Sequence, residues 1–309
     1  MPLVQSEDLM PYSSLRDFIT KLEKSGQLVR INEPISTVLE MTEIQTRLLS
    51  EGGPAVIFEN PTGANGQILE IPVLVNLFGT KERVAWAMER EPKDLRKLGE
   101  ILSNLRQPTP PDSVSEMIKM APILKSALSM RPVKKSGKAP CQEIILEGEN
   151  INLNELPIQT CWPGEPAPLI TFPLIVTQGP GTKPEDSSNL GIYRMQVIDK
   201  NRTLMRWLKH RGGAQHHQRW KTEKLSPLPV AAVIGADPGT ILAAVTPIPE
   251  TLSEYQFAGL LRGKRVQLTD CISQPLQVPA EAEIVIEGTV SLDETLEEGP
   301  YGDHTGFYN

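Results

Sequence analysis

Cysteine is scarce in this 309-residue sequence: Cys141, Cys161 and Cys271 are widely spaced, odd in number and form no C-x-x-C pair. The pattern argues against a disulfide framework and a zinc site, and it predicts reduced, packed thiols in a cytoplasmic protein. No stretch reaches the roughly 20 apolar residues that a membrane-spanning helix needs. The opening residues 1–10 contain Glu7 and Asp8 and lack a basic start, so no secretory signal is expected. Positive charge is in deficit: 31 Lys and Arg against 38 Asp and Glu give a formal net charge of −7, which disfavours nonspecific nucleic-acid binding. There is no G-x-G-x-x-G or Walker sequence after a strand, no G-x-S-x-G elbow and no H-E-x-x-H pair, so dinucleotide, triphosphate, serine-hydrolase and zincin chemistry have no support. Internal repeats and low-complexity segments are also missing.

What is present, 39% hydrophobic and 22% charged residues, describes an ordinary globular chain long enough for two domains. Ser13 or Ser14 can cap a helix through 25, with Leu15, Phe18, Ile19 and Leu22 on one face and Gly26 ending it. A strand is expected at 28–31, a helix at 38–49 stopping at Gly52-Gly53, and paired strands at 55–58 and 73–77. Helices at 81–90, 92–105 and 114–130, the last interrupted by Pro122, complete an α+β module over 1–130. The basic, Pro-containing, aperiodic segment 131–140 reads as a linker and solvated tether. Strands then prevail, at 143–146, 169–177, 190–197, 204–208, 230–235, 266–268 and 283–290, with a helix at 251–261. Short strands joined by Pro- and Gly-rich loops point to a barrel or sandwich over 141–309.

Function concentrates between Asn189 and Trp220. Leu190, Ile192, Met195 and Val197 alternate with polar residues, and a turn at Asp199, Lys200 and Asn201 leads into a second run at 203–208, the signature of a hairpin. After Gly212-Gly213, residues 214–220 favour helix. Arg194, Arg206, Arg211 and the histidines His210, His216 and His217 thus gather on one strand-turn-helix unit, where cations beside backbone amides suit an anion, most naturally phosphate. On a helix the His216-His217 pair points two ways, with solvent-facing rings as the ordinary outcome. Glu298 and Asp303 lie five positions apart in E-G-P-Y-G-D-H, around a Gly/Pro turn able to bring two acids to one side and set their pKa values apart. From spacing alone, a charged surface turn is the reading to prefer.

The run N-L-G-I-Y-R (189–194), followed by M-R-W-L-K-H-R-G-G-A (205–214), resembles the UbiD family of decarboxylases, in particular its bacterial ubiquinone-biosynthesis branch. The same family pattern recurs in G-G-P-A-V-I-F-E-N-P (52–61), L-F-G-T (77–80), A-P-C-Q (139–142), T-C-W-P (160–163), T-L-S-E-Y-Q-F-A-G-L-L-R-G (251–263) and E-G-P-Y-G-D-H-T-G (298–306). These motifs run nearly the length of the chain in the family's order.

The resemblance implies a split β-barrel related to flavin reductases, binding prenylated FMN with Mn2+ and K+ at its phosphate. By motif, Ile192, Tyr193, Arg194, Arg206, Trp207, Leu208, Arg211 and Gly212 line the cofactor site, and Asn189 and Glu254 resemble the metal ligands. No histidine aligns with the further ligand some relatives use. Arg194, Glu298 and Asp303 match the family's Arg-Glu-acid network, with Asp303 as proton donor. The reaction implied is non-oxidative decarboxylation of 3-polyprenyl-4-hydroxybenzoate to the 2-polyprenylphenol, with a smaller phenolic acid as the alternative substrate. A flavin prenyltransferase would supply the cofactor, the full-length protein would be a homo-oligomer, and collecting a polyprenyl substrate would bring peripheral membrane contact. Family members continue past this motif into a C-terminal region, so that domain is expected to be absent; a noncatalytic flavin- or phosphate-binding fragment and a flavin-dependent oxidoreductase stand as the other readings.

Overall fold

The computed structural model describes residues 12–106, 128–182, 188–249, 252–303 and 305–308. Helix α1 (Leu15–Lys24) starts at Ser14, whose hydroxyl accepts from the Asp17 amide at 3.1 Å while the Asp17 carboxylate accepts from the Ser14 amide at 3.2 Å. This reciprocal cap satisfies two otherwise orphaned donors, and Phe18 and Leu22 are fully buried on the inner face. Strand β1 (Leu28–Ile31) follows, then β2 (Ile35–Ser36), α2 (Glu40–Glu51), β3 (Ala55–Phe58), β4 (Pro61–Thr62) and β5 (Val73–Val75). The central strand β3 pairs parallel with β1 and antiparallel with β5. All four of its residues are apolar and buried because both faces are covered: Ala55 and Ile57 pack with Phe18 and Leu22 of α1, while Val56 and Phe58 pack with Met41 of α2.

Helix α3 (Lys81–Ala87) carries Arg83 into the centre of this unit, fully buried. Its guanidinium donates to the carbonyls of Leu77 at 3.1 Å, Gly53 at 2.9 Å and Asn76 at 3.1 Å, and to Gln27 Oε1 at 3.1 Å. The G-G-P-A and L-F-G-T segments are therefore bound to each other through one cation. Gly79 has no room for a side chain, since a Cβ there would overlap Asn76 Oδ1. A three-residue 3-10 turn and α4 (Leu95–Arg106) follow.

Strands β6 (Val133–Lys134), β7 (Leu169–Ile170), β8 (Leu174–Gln178), β9 (Ser188–Ile192), β10 (Met195–Val197) and β11 (Thr203–Met205) lead to α5 (Gly212–Thr222). The remainder is β12 (Leu228–Ile234), α6 (Pro238–Val245), α7 (Glu254–Arg262), β13 (Gln267–Asp270), β14 (Gln277–Pro279) and β15 (Ile284–Val290). A four-stranded antiparallel sheet in the order β15-β12-β8-β9 divides two cores. On one face Leu174, Val176, Leu190 and Val233 pack with Tyr255, Phe257 and Leu261 of α7; on the other Ile175 and Ala232 pack with Tyr193, Met195 and Trp207. Smaller sheets β11-β10-β7 and β14-β13-β6 flank it. Among the described residues the protein is a mixed α/β structure in which no sheet closes into a barrel.

Several expectations from the sequence are corrected. Residues 143–146 form no strand: a 3-10 turn at Pro140–Gln142 diverts the chain, no partner strand adjoins it, and Ile144 is 81% exposed. Segments 169–177 and 190–197, each expected as one strand, are each split in two. Within the basic segment 131–140, β6 pairs with β13, and Lys134 and Lys135 make ion pairs with Asp270 and Glu281. Most of the helix expected at 114–130 lies outside the described residues. Cys141, Cys161 and Cys271 are unpaired and partly buried, and burial pushes all three thiols up, which makes them packing groups.

Replacing Arg83 by Leu strands three buried carbonyls. The expected cost is about 3 kcal/mol or more, read as a lowered urea midpoint with an unchanged slope.

Candidate functional site

The site begins with a mismatch in strand length. Strands β8 and β9 pair Leu174 with Ile192, and β7 and β10 pair Ile170 with Met195. Between those pairs Tyr193 and Arg194 on one strand face Thr171, Phe172 and Pro173 on the other. The extra residue interrupts the ladder as a β-bulge does, and Pro173, one of the three, has no N–H to give to it. Alternation is kept on the Tyr193 strand: Tyr193, Met195 and Val197 enter one core, while Arg194 and Gln196 present to the opposite side.

There Arg194 donates from Nε to Glu298 Oε1 at 2.8 Å and from Nη2 to Glu298 Oε2 at 2.9 Å, a two-pronged pair with both side chains largely shielded. Arg206, brought alongside by the β10-β11 hairpin, approaches Glu298 Oε2 to 3.9 Å. Gln196 Oε1 accepts from the Gly299 amide at 3.1 Å, and the Arg194 guanidinium lies 5.3 Å from the ring centroid of Tyr301. Tyr301 is fully buried and donates its hydroxyl to the Ala167 carbonyl at 3.0 Å. Tyr301 and Gln196 went unread in the sequence, although Tyr301 sits inside the E-G-P-Y-G-D motif and Gln196 has the strand parity of Arg194.

Asp303, half-buried, is anchored in its own turn. Its Oδ1 accepts from the Thr305 amide at 2.8 Å, the Thr305 hydroxyl at 2.5 Å and the Phe307 amide at 3.3 Å. Trp162 and Pro163 of the T-C-W-P motif clamp this segment: Trp162 fills the space a side chain at Gly302 would need, and Pro163 O accepts from the Tyr308 hydroxyl at 2.7 Å.

On the other side of the sheet, Tyr193 and Trp207 support the start of α5. The Tyr193 hydroxyl accepts from the Gly213 amide at 3.1 Å, and the two rings meet edge-on at 6.1 Å. Gly212 opens this helix because a Cβ there would overlap Asn189 Oδ1. Asn189 Nδ2 is buried without a hydrogen-bond partner. Next along the strand, the Leu190 amide donates to Glu254 Oε2 at 3.0 Å, so the first residue of α7 reaches the open edge of β9. Desolvation pushes the Glu254 carboxyl up from 4.5 to about 7. An orphaned amide, whose oxygen and nitrogen exchange places by a simple flip, and a desolvated carboxylate are oxygen donors that fit a hard divalent cation. No cluster of three His, Cys, Asp or Glu side chains with metal-holding geometry occurs among the described residues.

His216 and His217 do not face solvent as expected. His216 Nδ1 lies 3.0 Å from Thr177 Oγ1, and burial followed by the nearby Arg219 guanidinium lowers its pKa to about 4, leaving it neutral at pH 7. His217 Nε2 lies 2.9 Å from the Ser291 carbonyl and its ring stacks edge-on with Trp207. They are held because α5 lies flat on β8 and β9. Leu208, Lys209, His210 and Arg211 form an exposed turn, closed by the Arg211 amide donating to Leu208 O at 2.9 Å, ahead of the α5 N-terminus. Cationic side chains and a helix start in one corner fit a phosphate.

Comparison with known proteins identifies the family of this fold. Residues 132–309 match the 3-octaprenyl-4-hydroxybenzoate carboxy-lyase Rift-related domain of UbiD, and residues 19–102 match the N-terminal domain of the same carboxy-lyase. The chain belongs to the UbiD family. Its fold is similar to the UbiD-class enzyme HmfF from Pelotomaculum thermopropionicum in complex with FMN, with 28% identity, a TM-score of 0.77, and coverage of 96% of this chain and 59% of that one. Vanillic acid decarboxylase of Sedimentibacter hydroxybenzoicus in its closed form matches with 27% identity and a TM-score of 0.78, over 97% of this chain and 59% of that chain. An evolved dimeric form of HmfF in complex with prFMN matches with 25% identity and a TM-score of 0.75, over 96% and 62%. This chain thus spans less than two thirds of the length of these relatives.

The Glu254 shift gives a signed prediction. Its folded pKa of about 7 lies above its ordinary 4.5, so the folded protein keeps a proton that the unfolded chain releases between those values. Stability falls as pH rises through that window, by on the order of 3 kcal/mol. Glu254→Gln, melted without metal at pH 5 and pH 8, is expected to be more stable than the parent at pH 8 and similar at pH 5.

Proposed function

We propose that this chain is the flavin-binding portion of a non-oxidative aromatic-acid decarboxylase working with prenylated FMN. The observation that carries the reading is the shielded Arg194–Glu298 pair at the bulge, with Arg206 beside it, in a chain of the UbiD family. HmfF, the relative with FMN or prFMN bound, supports the flavin.

In this reading Arg206, Arg211 and the Gly212 amide would hold the flavin phosphate, Asn189 and Glu254 would hold Mn2+, and K+ would bind at the same phosphate. Trp207 and Leu208 would offer it apolar walls, and Ile192, Tyr193 and Arg194 would line the rest of its site. The strands of 141–309 form a split barrel related to flavin reductases, 1–130 is a separate α+β domain, and 131–140 joins them. When bound, prenylated FMN supplies an electron-accepting centre for the carbon that loses its carboxylate. Arg194 orients that carboxylate, and Glu298 fixes the plane of the guanidinium by occupying two of its donor edges. The C–C bond breaks, carbon dioxide leaves, and Asp303 delivers a proton to the ring carbon. Its turn is clamped by Trp162 and Pro163, which limits how far the acid moves.

The substrate proposed is 3-polyprenyl-4-hydroxybenzoate, which gives the 2-polyprenylphenol of ubiquinone biosynthesis. A smaller phenolic acid is the second reading, favoured by the similarity to vanillic acid decarboxylase. A flavin prenyltransferase supplies the cofactor, and the full-length protein is a cytoplasmic homo-oligomer with peripheral membrane contact when it collects a lipid-borne substrate. No described helix is long and apolar enough to cross a membrane.

Protein co-expressed with a flavin prenyltransferase is expected to release a ligand with the mass and absorbance of prenylated FMN and to contain manganese. In that loaded protein, Asp303→Asn should lower kcat for carbon dioxide release by about 10²-fold or more with flavin content unchanged. Unchanged turnover would remove Asp303 from the donor role.

A further inference from the structure

Gln196 has no step in the proposed reaction, yet it sits two residues from Arg194 on the same side of its strand. The two side chains grip consecutive residues of the acid loop. Arg194 takes the Glu298 carboxylate through two hydrogen bonds, and Gln196 Oε1 accepts the next backbone amide, that of Gly299, at 3.1 Å. Gly299 has a φ of +85°, so the residue that meets Gln196 adopts a backbone conformation that other side chains resist.

Little else fixes this loop. Among the described residues, no hydrogen bond between backbone groups holds 292–300. Side chains set its path instead: Ser291 Oγ accepts the Asp293 and Glu294 amides at 3.3 and 3.1 Å, Gln196 takes Gly299, and the Tyr301 hydroxyl is tied to the Ala167 carbonyl at 3.0 Å. Glu298 also has two cations to choose between. Its Oε2 stands 2.9 Å from Arg194 Nη2 and 3.9 Å from Arg206 Nη1. Coulomb attraction changes little over that difference on the partly exposed Arg206 side, whereas the two-pronged bond to Arg194 requires the carboxylate to lie in the guanidinium plane. Attraction alone therefore does not choose Arg194. The position of the loop does, and at residue 299 the strand sets that position through Gln196.

We infer that Gln196 is a positioning residue for the decarboxylation: by holding the Gly299 amide it keeps Glu298 in the plane of the Arg194 guanidinium, and so aims the cation that receives the substrate carboxylate. The inference rests on the decarboxylase reading above and adds a residue that acts through Glu298. Losing Gln196 leaves the charge of the site unchanged and costs orientation.

The test uses Gln196→Met, which keeps size and removes the acceptor, Gln196→Glu, which restores an acceptor of the same length, and Glu298→Gln with and without Gln196→Met. The first readout needs no flavin. In the purified chain the Arg194 Nε–Hε resonance, assigned by its loss in Arg194→Lys, is expected in slow exchange with water in the parent and in Gln196→Glu, and broadened in Gln196→Met. The second is carbon dioxide release from 3-prenyl-4-hydroxybenzoate and from vanillate, per bound flavin. Gln196→Met should lower kcat about five- to tenfold while KM changes less than about twofold, and Gln196→Glu should recover most of the loss. In the Glu298→Gln background the Met substitution should cost little further, because the residue it acts through is gone. An unmoved Hε resonance, or equal losses from Gln196→Met with and without Glu298, overturns the inference and leaves the decarboxylase reading standing. A flavin-loaded parent that releases carbon dioxide from neither acid sinks that reading and this inference together.

Discussion

Two residues facing three is the constraint on which the site depends. Had the β7–β8 and β9–β10 pairing continued without the extra residue, either Ile170 or Ile175 would have left the core they share, and the sheet would have lost an apolar face. The bulge keeps both inside and ends the regular ladder at Leu174 and Ile192. The strand opposite keeps its alternation. Tyr193 stays on the side of α5, where its hydroxyl takes the Gly213 amide; Arg194 stays on the side of Glu298. That alternation assigns neighbouring residues to opposite faces, the phosphate-like corner behind the sheet and the ion pair in front of it.

A second constraint fixes the edge of β9 from a distance. Helix α7 starts at Glu254, which takes the Leu190 amide, and ends at Arg262. That end is locked in a buried network. Arg262 lies 2.9 Å from Asp237 and 3.6 Å from Glu89, donates to the Tyr12 carbonyl at 2.7 Å and stacks over the Tyr12 ring. Arg90 donates to the Leu261 carbonyl at 2.8 Å, near the helix C-terminus where a cation offsets the peptide dipoles. Two guanidiniums and two carboxylates are balanced in charge, which is what allows so many ions out of water in one place. Tyr12, Glu89 and Arg90 come from the N-terminal unit, and Asp237 caps α6. A helix of nine residues is stiff, so anchoring its C-terminus to the N-terminal unit also sets where its N-terminal carboxylate stands.

Local signals carried most of the secondary structure. The Ser14 cap, the αL Gly52 ending α2 and the Asp199–Asn201 turn are decisions made within a few residues, and the elements they bound are found where the sequence puts them. The errors share one cause. Segments 143–146, 169–177 and 190–197 are apolar enough to be strands, but a strand also requires a partner in register, which no local pattern states. Pro173 was the available clue to the bulge, because a proline in a paired run marks an edge or an interruption. The histidines failed for the same reason: a helix wheel puts His216 and His217 on different faces, but does not say that Thr177 and Ser291 wait on both. In contrast the Arg194–Glu298 pairing, 104 residues apart, was legible only through the family pattern, since spacing alone favoured a surface turn.

The Asn189 corner shows how a local violation can be read as function. Gly212 is required there because the Asn189 amide occupies the space of its missing Cβ, yet that amide leaves its own nitrogen buried and unpartnered. Next to it stands a carboxyl group that burial has pushed up to about 7. Each is a cost if the corner is only structural: an unsatisfied amide and a desolvated acid both lower stability, and apolar residues would pack β9 against α5 and α7 without either. Both costs reverse sign if a cation is held between the two oxygens, since it draws the carboxylate into its charged form and turns the amide to present its oxygen. The strain therefore lies on the side of the sheet that the proposed reading gives to the flavin phosphate, while the Arg194–Glu298 pair lies on the opposite side.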